Sequence, residues 1–101
     1  MRRAADVLYL LATFSIRTNF LDKALIYAKS GYQLFSADSR MVEIYAYTLL
    51  LKGDYVTADE VLQSTTKTSR NLLFLRTRTA IVLGRPENEI QATIRAYLQF
   101  N

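Results

Sequence analysis

Tyr45-Ala46-Tyr47-Thr48-Leu49-Leu50-Leu51-Lys52-Gly53-Asp54-Tyr55-Val56-Thr57-Ala58 reads as two helices joined by a tight turn. Gly53 ends the first helix, because glycine adopts the left-handed backbone conformation of a helix end without steric cost. Asp54 caps the second, its carboxylate accepting from backbone N–H groups that a helix start leaves unpaired. Ala46 lies midway along the first helix and Ala58 early in the second, twelve residues later. Where antiparallel helices cross closely, a large side chain would hold the backbones apart, and alanine lets them meet.

The same pattern extends both ways along the chain. Ala12, Ala46 and Ala80 are spaced by 34 residues, and so are Ala24, Ala58 and Ala92. That period, with small residues twelve apart, is the signature of the tetratricopeptide repeat, a helix–turn–helix unit that stacks into a short superhelix. Leu11-Ala12 and Tyr45-Ala46 occupy the paired positions of the first helices. Asn19-Phe20-Leu21 supplies the first turn. Gly84-Arg85-Pro86-Glu87 supplies the third and turns early, with Pro86 at a first helical position. Glu87 and Glu89 then lie at the positive end of the helix dipole. Arg76 stands where the pattern calls for a large apolar residue. The spacing predicts an all-α, single domain of three units, about 5–38, 39–72 and 73–101, with six antiparallel helices near 4–17, 20–35, 39–52, 55–65, 70–83 and 87–100.

The faces follow from helical spacing. Val7, Leu8, Leu11 and Ser15 mark helix one, with Leu8, Leu11, Ala12 and Ser15 on core positions. Leu21, Ala24, Leu25, Ala28 and Leu34-Phe35 mark helix two, and Ser36-Ala37-Asp38-Ser39 turns and caps helix three. Gln63 to Ser69 is polar and rich in Ser and Thr, which compete for backbone hydrogen bonds, so it predicts a loop or a frayed helix end.

Composition narrows the chemistry. Half of the 101 residues are apolar, enough for one modest core. There is no Cys and no His, so a thiolate metal site, a disulfide framework and the commonest general base are all missing. No phosphate loop, metal-ligand cluster or nucleophile motif appears. Asp59-Glu60 and Glu87/Glu89 read as solvated or dipole-complementing acids. An enzyme is not expected, nor a cofactor.

The net charge is +4, with Lys67, Arg70, Arg76, Arg78, Arg85 and Arg95 crowding the last third. A basic RNA-associated adaptor is one reading of this charge. No nucleic-acid-binding motif accompanies it, and a solvated face drawn to an acidic partner is the favoured reading. Arg2-Arg3 before the apolar run Val7 to Phe14 has the form of a short secretion signal. No small-x-small cleavage site follows, the run keeps the helical register, and it is too short to span a membrane.

The first helices of stacked units line the inner surface. Helix three is more apolar than its own pair requires: Val42, Tyr45, Ala46 and Leu49 cover the pair, leaving Tyr47, Leu50 and Leu51 over. Projection gives a groove of Tyr9, Thr13, Ile16 and Arg17; Arg40, Glu43, Tyr47, Leu50 and Leu51; and Phe74, Thr77 and Ile81. An apolar trough with charged margins suits an amphipathic helix. The competing reading is that helix three is buried on all sides at the centre of the stack.

Leu11-Ala12, Asn19 to Ala24, Leu49 to Tyr55, Ala58 and the stretch Ala92 to Leu98 with its closing Arg95-Ala96-Tyr97-Leu98 carry a narrower likeness. From about Ala5 to Phe100 the chain resembles the small tetratricopeptide-fold chaperones of bacterial type III secretion. The resemblance implies a cytoplasmic protein whose concave groove shelters an apolar helix of a small secreted partner until export. Two types are similar. The YscY type binds a small secreted protein of the YscX type, which engages the export gate. The YscG type wraps the C-terminal helix of the needle subunit together with a second small chaperone. The closing helix and the turn placement favour the first. Either implies a hetero-oligomer, self-association without the partner, no nucleic acid and no membrane insertion. The alternative is a three-repeat piece of a longer scaffold protein.

Overall fold

Lys52 closes a helix and Gly53, at φ +82°, reverses the chain. Gly53 donates to the Leu50 carbonyl at 3.0 Å and Asp54 to the Leu49 carbonyl at 2.9 Å. These bonds satisfy the carbonyls that a helix end leaves open. The Asp54 carboxylate then accepts from Thr57 N at 3.2 Å and starts the next helix. The same turn recurs at Asn19 (φ +63°), with Phe20 N on Ser15 O, and at Gly84 (φ +68°), with Arg85 N on Ala80 O. Asparagine is among the few residues other than glycine that take this conformation readily.

In the computed structural model, residues 2–66 and 68–100 are described, the side chain of Arg2 excepted. Lys67, counted above with the basic residues, lies outside them. The described residues form six helices and no strand: α1 (Arg2–Arg17), α2 (Leu21–Leu34), α3 (Ser39–Leu51), α4 (Tyr55–Ser64), α5 (Arg70–Val82) and α6 (Glu87–Gln99). They pack as a compact stack of 39 × 26 × 20 Å. Each helix packs on the next in sequence, and α3 also touches α1 and α5. Among the described residues the backbones of α2 and α4, and of α4 and α6, stay apart, and α2 reaches α4 through the Tyr32 hydroxyl, 3.2 Å from that of Ser64. The odd-numbered helices therefore converge on one side of the stack while the even-numbered ones splay apart on the other.

The core centres on α3, where Met41, Val42, Ile44, Tyr45, Ala46, Thr48, Leu49 and Leu50 are all buried. Ala12, Ala24, Ala46 and Ala58 have no exposed surface, as close helix crossings require. Gly31 meets the same demand, since a Cβ there would collide with the sulfur of Met41. Thr48 and Thr79 are buried hydroxyls, satisfied by their own helices through the carbonyls of Ile44 (2.6 Å) and Leu75 (2.7 Å).

The third pair departs from the 34-residue period. Asp38 caps α3 and Ser69 caps α5; Gly53 ends one helix and Gly84 the other; Thr48 and Thr79 make the same buried bond. Each of these equivalences spans 31 residues. Arg76 thus stands in place of Tyr45, not at a misplaced core position, and its guanidinium donates to the carbonyls of Leu62 and Thr65 at the end of α4. Ala92, read as a crossing residue, is exposed, because the earlier turn moves it off the face of α6 that meets α5. Ile90 takes that position. Pro86 is the N-cap of α6 rather than its first residue. Leu11 is also displaced from the core and lies exposed on the outer side of α1. Asp59 is not a solvated acid: it pairs with Arg85, which also approaches Glu89 at 3.7 Å.

Candidate functional site

The side on which α1, α3 and α5 converge carries an open cavity of about 440 Å³. Tyr9, Thr13, Ile16 and Arg17 line it from α1, Glu43, Ile44 and Tyr47 from α3, and Asn71, Phe74 and Leu75 from α5. Its apolar lining combines the rings of Tyr9, Tyr47 and Phe74 with Ile16, Ile44 and Leu75. Tyr47 and Phe74 remain 39% and 46% exposed although they sit among packed helices. The Phe74 ring is backed from α6 by Tyr97, with centroids 5.9 Å apart, and Arg70 lies over the other ring at 4.9 Å. The hydroxyls of Thr13 and Thr77 are engaged by the carbonyls of Tyr9 and Leu73 on their own helices, both at 2.8 Å.

The rim is polar and cross-linked. Arg40 donates to Asp6 at 2.8 Å and to Asp38 at 2.9 Å, and its guanidinium covers the Tyr9 ring at 5.1 Å. These acids, Asp38 first, raise the pKa of Arg40 above its ordinary value and keep it charged. Glu43 accepts from the Ser69 hydroxyl at 2.5 Å and from Asn71 Nδ2 at 3.5 Å. The same Ser69 oxygen accepts from Leu72 N at 3.1 Å, so one serine both caps α5 and ties it to α3.

Seven of the residues projected from the sequence meet in this cavity: Tyr9, Thr13, Ile16, Arg17, Glu43, Tyr47 and Phe74. Leu50 does not; it is buried in the core because α3 is enclosed by four other helices. Leu51, Thr77 and Ile81 lie off the cavity, and Arg40 stands on its rim against Tyr9. The misplacement on α5 follows from the three-residue offset. A 34-residue step carries Glu43 to Thr77 and Tyr47 to Ile81, whereas the observed 31-residue step carries Glu43 to Phe74 and Arg40 to Asn71. Ile44, Asn71 and Leu75 were missed, and the early Gly84 was the signal that would have found the α5 residues.

A smaller cleft of about 250 Å³ lies among α4, α5 and α6, lined by Asp59, Gln63, Arg76, Ala80, Arg85, Glu89 and Thr93. Its two arginines are engaged within the molecule, Arg85 by Asp59 and Arg76 by the α4 carbonyls. Among the described residues no cluster of acids could hold a metal ion, and no helix is long and apolar enough to cross a membrane. No protein-family model, no curated protein and no solved structure matches this chain.

Proposed function

We propose that this protein is a tetratricopeptide-type chaperone that shelters one amphipathic helix of a small secreted protein in its groove. The resemblance stated above points to type III secretion, with a YscX-like protein or a needle subunit as the cargo. Loading then takes place in the bacterial cytoplasm, alone or together with a second small chaperone. The observation that carries this reading is the pair of exposed rings, Tyr47 and Phe74, converging between polar rims on the side where the odd-numbered helices meet. Three helix pairs, closed by the same left-handed turn at Asn19, Gly53 and Gly84, support the repeat assignment.

The mechanism is one of burial. An apolar helix left in water promotes aggregation, and the groove offers aromatic surface that is already held in place, so little ordering cost is added on binding. Affinity should concentrate in a few aromatic anchors. The test is co-expression with a candidate small secreted protein, followed by titration calorimetry with its apolar helix. Tyr47→Ala or Phe74→Ala should each cost ~2 kcal/mol or more of affinity. Wild-type affinity in both variants would remove the groove from consideration.

A further inference from the structure

The cations around the groove divide into engaged and open ones. Arg40 is held by Asp6 and Asp38, and Lys52, just past the end of α3, by Asp22. Arg70 lies over the Tyr97 ring. Arg17 and Arg78 differ: both are exposed, and among the described residues neither has an ion-pair partner.

The repeat places these two arginines on either side of one ring. Thr13 on α1 corresponds to Tyr47 on α3 by the 34-residue step, and Tyr47 to Arg78 on α5 by the 31-residue step. Arg78 also follows Phe74 by one helical turn on the same face. Arg17 follows Thr13 by one turn, and helical side chains lean back toward the N-terminus, which accounts for its place in the cavity wall. Among the described residues α3 packs on both α1 and α5, which do not pack on each other. The exposed Tyr47 is thus flanked by one open cation from each neighbouring helix.

The surface between them stays apolar past the cavity. Leu51 follows Tyr47 by one turn and Ile81 follows Phe74 by two, and they are 42% and 54% exposed. The carboxylate of the cavity wall, Glu43, lies a turn earlier on α3, and its oxygens are taken by Ser69 and Asn71. This end of the groove therefore sets an open apolar strip between two cations. A helix buried on that strip turns its flanks toward α1 and α5, and carboxylates are the groups that suit those flanks.

We propose that the groove selects an acidic amphipathic helix, with Asp or Glu on both borders of its apolar stripe, and that Arg17 and Arg78 make the selection. This presupposes that the groove holds a helix, as proposed above. The pairs form at an exposed rim, where each contributes modestly, so the charges sort partners and speed encounter more than they hold the complex. Single-stranded nucleic acid also combines stacking with positive charge. Ile16, Leu51 and Ile81, however, match an aliphatic stripe rather than a base.

Three synthetic helical peptides of about 20 residues test this on the purified full chain. They share one Leu/Ile stripe at helical spacing and carry Glu, Gln or Lys along both of its borders. Calorimetry at low salt should show the Glu peptide binding about tenfold more tightly than the Lys peptide, with the Gln peptide between them. High salt should narrow the spread. Joint replacement, Arg17→Glu with Arg78→Glu, should reverse the order. Both side chains are exposed, so the helical circular dichroism should persist; if it does not, Arg17→Gln with Arg78→Gln should abolish the order instead. Tyr47→Ala should weaken all three peptides alike, which tests the groove apart from its charge. Equal binding of the three peptides, lost alike in Tyr47→Ala, overturns the selection and leaves the groove standing. A Glu preference unchanged in the joint variant overturns it too, since the charges then lie elsewhere. If no peptide binds, or Tyr47→Ala leaves all three unchanged, groove and selection fall together. A single-stranded oligonucleotide that binds more tightly than the Glu peptide, and is lost in the joint variant, marks a nucleic-acid surface and also overturns the proposal.

Discussion

Arg40 covers the ring of Tyr9 at 5.1 Å while its guanidinium is held by Asp6 and Asp38. One cation on α3 thereby fixes an aromatic wall of the groove on α1 and leaves the margin polar. The pair is half exposed, so Arg40→Gln should cost about 1 kcal/mol or less of stability. Its larger effect should be kinetic. Association with a helix flanked by acids should slow, and its dependence on salt should flatten. Stopped-flow rates at low and high salt measure both. An unchanged rate at low salt would show that the rim does not steer the partner.

The alanines separate into two groups. Ala46 and Ala58 have no exposed surface, so Ala46→Leu or Ala58→Leu should destabilise the fold by ~1–3 kcal/mol through overpacking. Ala92 shares their period but lies exposed, and Ala92→Leu should change stability by about 0.5 kcal/mol or less. Chemical denaturation of the three variants checks the offset of the last pair. A loss at Ala92 equal to that at Ala58 would restore an unbroken 34-residue period.

Tyr45 predicts a loss of stability in alkali. Its pKa is raised, first by burial and then by Tyr32 and Asp54 nearby. Below pH ~10 the phenol is neutral in both the folded and the unfolded chain, and its contribution is complete. Above that the unfolded chain ionises first, so stability falls until the pH passes the raised folded-state value. Tyr45→Phe should therefore lose less stability than wild type between neutral pH and pH ~11. Urea melts across that range provide the comparison, and parallel curves for the two proteins would contradict the assignment.

The number of helices and their limits, to within a residue or two, were legible in the sequence, and the central place of α3 was one of two readings it left open. The helix limits are local matters. Gly53, Gly84 and the capping Asp38, Asp54 and Ser69 act within a few residues of themselves, and helical periodicity marks Ala12, Ala46 and Ala58 as crossing points. The 34-residue period also aligns Tyr9, Thr13, Ile16 and Arg17 on α1 with Glu43 and Tyr47 on α3, which line one cavity.

The register of the last pair emerged from the packing, although Gly84 marked an early turn in the sequence. Six alanines keep the 34-residue spacing, yet α5 is capped at Ser69 and closed at Gly84, three residues early. A helix is oriented by the caps at its ends and by the bulk of what it packs against, and an alanine, small enough to fit in a core or on a surface, constrains neither. That offset exchanges Thr77 and Ile81 for Asn71 and Leu75 on the groove and exposes Ala92. Packing also withdrew Leu50 from the groove, because α3 is enclosed by four helices, and left Leu10 and Phe14 uncovered. Whether an apolar side chain ends in the core or on an open face depends on which helix lies beside it, and that neighbour is set by the three-dimensional stack rather than by the residue's own segment.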